Sequence, residues 1–314
     1  MVPTPNRVSV IVTTYNLSSY LGEAIQSILD QKGVQTEVIV VDDASTDDSA
    51  GALRPFWSKI TYIRLRDNRG GPAAPRNLGI RASTGGFIAI LDGDDIMLPG
   101  KLAEQVEFLN RYPEVPLVFT DFRNFDDSKE YGNFLADHVA FQAMPKSSIG
   151  NGQYCLSSAS AYETLIGDNF IGTSGVVFRK SLIEQVGGFD ETLKRSEDFD
   201  FWLRVARRSD LGYIDRVFHR RRLHGQNISS DPSALTDHLA ILERQMSFPL
   251  SKEARNTWTR VTAQTLFSIG YSHRLRRHRF AAAGYFLRSM LRRSNGFRPL
   301  LSIARLFLPL RDRN

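Results

Sequence analysis

A chain of 314 residues, 42% hydrophobic and 24% charged, has ordinary globular composition and room for about two domains, or one large α/β domain with an extension. A single cysteine, Cys155, excludes an intrachain disulfide framework and fits a reducing compartment, and no run of about 18 apolar residues reads as a membrane-spanning helix. The net charge of +6 is uneven: residues 255–314 hold 13 arginines against one acid, while the rest holds 27 basic and 33 acidic residues, so a mildly acidic body precedes a basic tail suited to an anionic partner.

VSVIVT (8–13) is a near-continuous apolar run, the pattern of a strand buried on both faces and too short for the core of a signal peptide. Leu21, Ala24, Ile25, Ile28 and Leu29 then recur at helical spacing, which predicts an amphipathic helix capped by Ser18 or Ser19. TEVIVVDD (36–43) is a second buried strand. ASTDDSAGALRPFW predicts a helix that opens at Ser45-Thr46-Asp47 and stops near Pro55. ITYIRL (60–65) is a third strand, NRGG a turn opening a helix around PAAPRNLGIRAS, and GFIAILD (86–92) a fourth strand. This βαβαβαβ order predicts a doubly wound, mostly parallel sheet with ligands at the carboxyl ends of its strands.

Residues 123–170 read as loops and short elements. FIGTSGVVF (170–178) predicts a strand, SLIEQVGGF a helix with a glycine stop, EDFDFWLRVARR (197–208) a helix, and LGYIDRVFHRRRL (211–223) a strand pair or meander. From about 233 the pattern is helical, ending in PLLSIARLFLPL. The charge shift and the change of element type divide the chain into a ligand-binding domain over 1–230 and a basic helical extension over 231–314.

Chemistry gathers where strands end. In ILDGDD, Asp92, Asp94 and Asp95 stand where a buried strand emerges, because unpaired carboxylates within it would be costly. Such a cluster suits Mg²⁺ or Mn²⁺ shared with substrate phosphates, or is a solvated acidic turn. Nothing resembles a zinc site. Asp42 and Asp43 end the second strand, as nucleotide-reading acids or as an Asx turn. Tyr15 in TTYN is a stacking surface or packing. Arg76 in GGPAAPRN adds a phosphate-seeking cation. Glu197, Asp198 and Asp200 open a helix, as dipole complements or with one serving as general base. His224 lies in the loop LHGQNISS.

VSVIVTTYN, EVIVVDDASTD, NRGGPAAPRNLGI, ILDGDDIMLPGKL, TSGVVFRKSLIEQVGGFDE and EDFDFWLR occur in an order that resembles the family 2 glycosyltransferases, over about residues 8–230. The resemblance implies the type A glycosyltransferase fold, a nucleotide-sugar donor, most often a UDP-sugar, and a divalent cation. It implies that Thr13 and Tyr15 line the base, that Asp42 reads the uracil edge with Asp43 beside it, and that Arg76 lies near base and diphosphate. Asp92 matches the ribose contact, Asp94 the metal ligand, Asp95 a supporting acid and Asp198 the catalytic base, with His224 a further metal or diphosphate contact. Pro75 departs from the small residue usual before the arginine; proline is tolerated in a first helical turn. The implied reaction is an inverting transfer to a hydroxyl of a glycan or lipid-linked acceptor. The alternatives are a nucleotidyltransferase of similar architecture, which would release pyrophosphate, and an inactive nucleotide-sugar-binding module.

In the tail, arginines from Arg274 to Arg305 interleave with apolar residues from Phe280 to Leu308. This reads as a membrane-surface element on anionic lipid, or as a helical subdomain with solvated arginines. No motif supports nucleic-acid binding. The expected location is cytoplasmic, peripheral on the inner face of a membrane.

Overall fold

The first apolar run forms β1 (Thr4–Thr14), the strand around which a sheet is laid in the computed structural model, which describes residues 4–225, 234–292 and 298–304. Val8, Val10, Ile11 and Val12 are fully buried, as a strand covered on both faces requires. β2 (Gln35–Asp42) and β4 (Gly85–Asp92) pair with β1 in parallel on either side, and β3 (Ile60–Arg64) pairs in parallel with β2. The helices α1 (Ser18–Leu29) and α3 (Ala73–Ala82) form the first and third crossovers. The order β3-β2-β1-β4 reverses direction at β1, so the carboxyl ends of β1 and β4 flank a topological switch point.

Beyond β4 come β5 (Ile96–Met97), α4 (Lys101–Arg111), β6 (Leu117–Phe125), β7 (Glu130–Asn133), α5 (Val139–Ala143), β8 (Ser147–Gly150), β9 (Gln153–Leu156) and α6 (Ser158–Gly167). Then follow β10 (Val177–Arg179), α7 (Leu182–Val186), α8 (Glu197–Ala206) and β11 (Leu211–Arg222). The sheet continues through β10, β6, β11, β9 and β8, with β10 antiparallel to β4 and β11 parallel to β6. An aromatic cluster of Phe119, Phe141, Phe170 and Tyr213 fills the far half.

Four local expectations are corrected. Neither Ser18 nor Ser19 caps α1: Leu17 occupies the cap position, and the Ser18 N–H donates 2.9 Å to Asp47 across the loop. The helix expected after Ser45 is only α2 (Ser49–Ala52), capped by Asp48 and followed by a 3₁₀ turn, Arg54–Phe56. Polar side chains there capture backbone groups instead: Asn16 Oδ1 accepts from Thr46 N–H (2.7 Å), and Asp47 accepts from Ser49 N–H (3.0 Å). Residues 170–178 are not one strand; a 3₁₀ turn, Thr173–Gly175, precedes β10, because Thr173 and Ser174 turn their hydroxyls towards acids. Residues 211–223 hold the single strand β11 rather than a strand pair or meander; its register with β6 shifts between Ile214 and Val217, where Asp215 N–H donates to Gly152 (2.7 Å).

The chain divides into two compact units, Met1–Asn227 and Ile228–Asn314. In the second, α9 (Ala234–Gln245), α10 (Lys252–Leu275), α11 (Arg279–Leu291) and α12 (Arg298–Ala304) succeed one another. Ser251 caps α10, and Trp258 donates its indole N–H to Leu242 (2.6 Å). Gly270 lets α11 approach: a Cβ there would come within 2.9 Å of Phe286. Arg293, Leu306, Phe307 and Leu308, with the Arg298 and Arg305 side chains, lie outside the description. Among the described residues no helix is long and apolar enough to cross a membrane.

Candidate active site

Strand register sets the site. Thr13 of β1 is level with Asp92 of β4, and Thr14 with Asp42 of β2, so three neighbouring strands deliver their last residues to one edge. The chain after Asp92 turns back onto β1: Gly93 N–H donates to Thr13 (3.0 Å), and a Cβ on Gly93 would sit 2.9 Å from that same carbonyl. A side chain there would push the acidic turn off the sheet. Asn16, Ala44 and Ser196 hold left-handed backbone conformations at φ 56°, 62° and 59°, in the loops after β1 and β2 and before α8. Such conformations in residues other than glycine are costly and cluster at functional sites.

The acidic turn divides its carboxylates among different neighbours. Asp94 Oδ2 lies 2.8 Å from His224 Nε2, which brings together the two residues expected to hold a metal. Burial, with Asp92 as a like-charged neighbour, pushes the Asp94 carboxyl upward. The His224 ring stacks on Tyr20 (4.9 Å), and Arg222 lies over the same tyrosine (4.9 Å) while donating Nε–H to the Asp94 carbonyl (3.0 Å). Asp95 is buried, accepts from the Ser174 hydroxyl (2.6 Å) and from Arg222 N–H (3.1 Å), and is driven well above the usual carboxylate range by burial and its acidic neighbours. An open, polar pocket of about 540 Å³, lined by residues that include Asn16, Ser18, Asp47 and His224, lies on the His224 side.

On the other side, α3 and α8 are joined by a buried charge bridge. Arg76 is 3% exposed; one end of its guanidinium pairs with Glu197 and the other with Asp92 (2.7 Å). The acids on either side hold Arg76 above its ordinary range despite burial. Burial pushes Glu197 up to about 7, with Arg76 opposing. The three acids that open α8 thus separate. Glu197 faces Arg76, Asp200 is pinned by Arg204 (2.8 Å), and Asp198, partly exposed, accepts from the Thr173 hydroxyl (2.8 Å).

At the β2 end, Asp42 is buried, accepting from Ser45 N–H (2.8 Å) and the Tyr62 hydroxyl (2.5 Å), with Arg64 at 3.5 Å. Burial and the Asp42 bond push the Tyr62 phenol up to about 12. Asp43 accepts from Arg69 N–H (2.8 Å), and burial raises its carboxyl. Thr13 is buried, whereas Tyr15 at 43% exposure presents its ring to solvent. Thr173, Ser174 and Arg222 had no assigned role in the sequence: a polar pair within an apolar run and one arginine in a basic strand carry no signal until their partners are placed.

Five acids, Asp92, Asp94, Asp95, Glu197 and Asp198, thus meet two arginines and one histidine around the acidic turn, leaving an acidic surplus. Among the described residues no three His, Cys, Asp or Glu side chains converge on one metal position. The candidate donor set is one carboxylate oxygen and one imidazole nitrogen, Asp94 and His224. That fits a Mg²⁺ or Mn²⁺ whose remaining ligands are phosphate and water.

Residues 9–183 match the model of the family "Glycosyl transferase family 2", and the chain belongs to that family. A succinoglycan biosynthesis protein, ExoU, of Rhizobium meliloti is 28% identical over 218 residues, 64% of this chain and 57% of that one. The chain covers between 29% and 64% of the length of the uncharacterised rickettsial glycosyltransferases that it matches. The S. aureus TarS 1-349 fragment in complex with UDP-GlcNAc superposes with a TM-score of 0.66 at 21% identity, over 95% of this chain and 87% of that one. A mannosyltransferase of Pyrobaculum calidifontis in complex with GDP-Man and Mn²⁺ gives 0.61 at 18%, over 96% and 85%. The fold is therefore the type A glycosyltransferase fold, with a mostly parallel sheet followed by C-terminal helices.

Proposed function

We propose that the chain transfers a sugar, with inversion at the anomeric carbon, from a nucleotide-sugar donor, a UDP-sugar first among them, to a hydroxyl of a glycan or lipid-linked acceptor. One observation carries this reading: Asp92, the Asp94–His224 pair and Asp198 gather at the carboxyl ends of β1 and β4 and the start of α8, in a chain of family 2. The structural neighbours bound to UDP-GlcNAc and to GDP-Man with Mn²⁺ support a nucleotide-sugar donor, and the succinoglycan relative supports a polysaccharide acceptor.

In this reading Thr13, Tyr15, Asp42 and Asp43 line the base. Tyr15 offers its ring, while Asp42 is fully buried against Ser45, Tyr62 and Arg64 and meets a base N–H only where one of these partners is displaced. Asp92 receives the ribose hydroxyls. Arg76, expected near base and diphosphate, is buried between Asp92 and Glu197, and in this reading it acts on the donor through them, fixing the donor strand against the helix that carries Asp198. Asp94 and His224 would hold the cation, whose charge would offset that developing on the diphosphate leaving group. Asp198, oriented by Thr173, accepts the acceptor hydroxyl proton as its oxygen bonds to the anomeric carbon and the bond to the diphosphate breaks. Residues 1–230 are the catalytic domain in this account. Residues 231–314 are a basic extension that attaches to an anionic membrane surface from the cytoplasmic side.

A thermal-shift screen of UDP-, GDP- and dTDP-sugars, each with and without Mn²⁺, tests the donor assignment. A ligand of the native state raises its midpoint by mass action. A metal-dependent rise with UDP-sugars is expected, and no rise with any nucleotide sugar would overturn the proposal.

A further inference from the structure

Helix α11 has two unlike sides. Ala282, Phe286 and Ser289 are buried, and the Ser289 hydroxyl bonds to Ala263 of α10 (2.8 Å). At 100° per residue the opposite side carries Phe280, Gly284, Leu287 and Leu291. That side is open: Phe280 is 91% exposed and Leu291 77%. An apolar stripe on the outer side of a solvated helix loses free energy to water unless something covers it.

The corner leading into this stripe is basic. Arg276, Arg277 and Arg279 are exposed, and among the described residues none is paired with a carboxylate. Further along α11 the arginines are engaged: Arg288 with Glu243 (2.9 Å), and Arg292 over the Trp258 ring (4.6 Å). The corner itself closes α10 with two reverse bonds, Arg277 N–H to Arg274 (3.0 Å) and His278 N–H to His273 (2.9 Å), and Arg277 takes the left-handed conformation, φ 62°. Glycine is the favoured residue at that position because a Cβ there is strained. Here a long, exposed cation stands in its place, three residues before Phe280.

Building on the membrane reading of the basic extension, we propose that the α10–α11 corner and the outer side of α11 are its docking surface. Phe280, Leu287 and Leu291 enter the headgroup boundary of an anionic bilayer, and Arg276, Arg277 and Arg279 meet the lipid phosphates. The pairing of an apolar stripe with unpaired cations at one end matches an interfacial helix. A second copy of the chain could bury the stripe, but α11 carries no carboxylate that it would bring to Arg276, Arg277 and Arg279, whereas anionic lipid covers the stripe and pairs the cations together.

The test is co-sedimentation of the full chain with phosphatidylcholine vesicles, with and without phosphatidylglycerol. Binding is expected only to the anionic vesicles and should weaken with salt as the corner is screened. Each arginine-to-glutamine change at 276, 277 or 279 should lower the partition coefficient about fivefold, the scale for one basic residue beside an anionic surface. The pair Phe280→Ser and Leu287→Ser should abolish stable binding. Arg277→Gly separates docking from folding: it should raise the thermal midpoint by relieving the left-handed strain, yet weaken vesicle binding. Absence of wild-type binding would overturn the membrane reading itself. Wild-type binding that survives all these changes would overturn only this surface. A dimer dissolved by Phe280→Ser, without lipid binding, would assign the stripe to self-association and refute the proposal.

Discussion

Replacing Arg76 with methionine removes the one cation of a buried bridge and leaves Glu197, 4% exposed, facing Asp92 and Asp198 without it. Breaking a buried pair by deleting one partner costs on the order of 3–5 kcal/mol. The size of the loss should depend on pH. Glu197 titrates near 7 in the folded chain against 4.5 unfolded, so folding favours its protonated form, and its contribution is present at low pH and lost as pH rises through the folded value. Without Arg76 that value moves higher still, and the loss extends further up the pH scale. Between about pH 6 and about pH 8 the wild type should lose roughly 1.4 kcal/mol through this group, and the variant about twice that. The variant's deficit should therefore be about 1–1.5 kcal/mol greater near pH 8 than near pH 6. Urea unfolding at the two pH values, followed by far-UV circular dichroism, measures it. Adding Glu197→Gln to Arg76→Met should remove most of the pH dependence. A deficit equal at both pH values, or a total cost below about 1 kcal/mol, would refute the bridge as described.

Other consequences follow from the same geometry. Asp198→Asn should keep donor affinity and lower transfer at least about 10²-fold, and Thr173→Val should lower kcat while leaving the donor Kd unchanged; transfer kinetics and calorimetry check both. Lys101 is fully buried, its ammonium has no hydrogen-bond partner among the described residues, and burial lowers it to about 7 from 10.5. The unfolded chain binds that proton more tightly, so wild-type stability should rise with pH between those values. Lys101→Met should therefore stabilise the protein by an amount on the order of 4 kcal/mol near pH 7 and progressively less in more alkaline buffer; denaturant midpoints across pH measure this, and an unchanged midpoint near neutrality would contradict it.

Much of the sheet, and the placement of some candidate site residues, were legible because burial writes itself into residue order. β1, β2 and β4 are apolar runs that end abruptly in polar residues, and since acids are excluded from such strands, Asp42 and Asp92 could only mark their ends. The separation of roles in EDFDFWLR was not legible: three acids in one helical turn look alike until Arg76, Arg204 and Thr173 select among them. The Thr173-Ser174 turn was hidden because an isolated polar pair is compatible with a strand, and only Asp95 and Asp198, distant in sequence, account for it. The loop after β2 misled because Ser, Thr and Asp cap helices and also divert the backbone from them; Asn16, on another loop, decides between the two. Residues 123–170 alternate short strands and helices around aromatic contacts, and no single period runs through them.

If Asp94 and His224 hold the proposed cation and the nucleotide diphosphate binds through it, calorimetric titration of UDP into the full chain will show it. Binding is predicted with Mn²⁺ present, lost in excess EDTA and in Asp94→Ala, weakened in His224→Ala, and retained in Asp198→Asn. UDP binding of undiminished affinity in Asp94→Ala, or in EDTA, would rule out a metal held by Asp94 and His224.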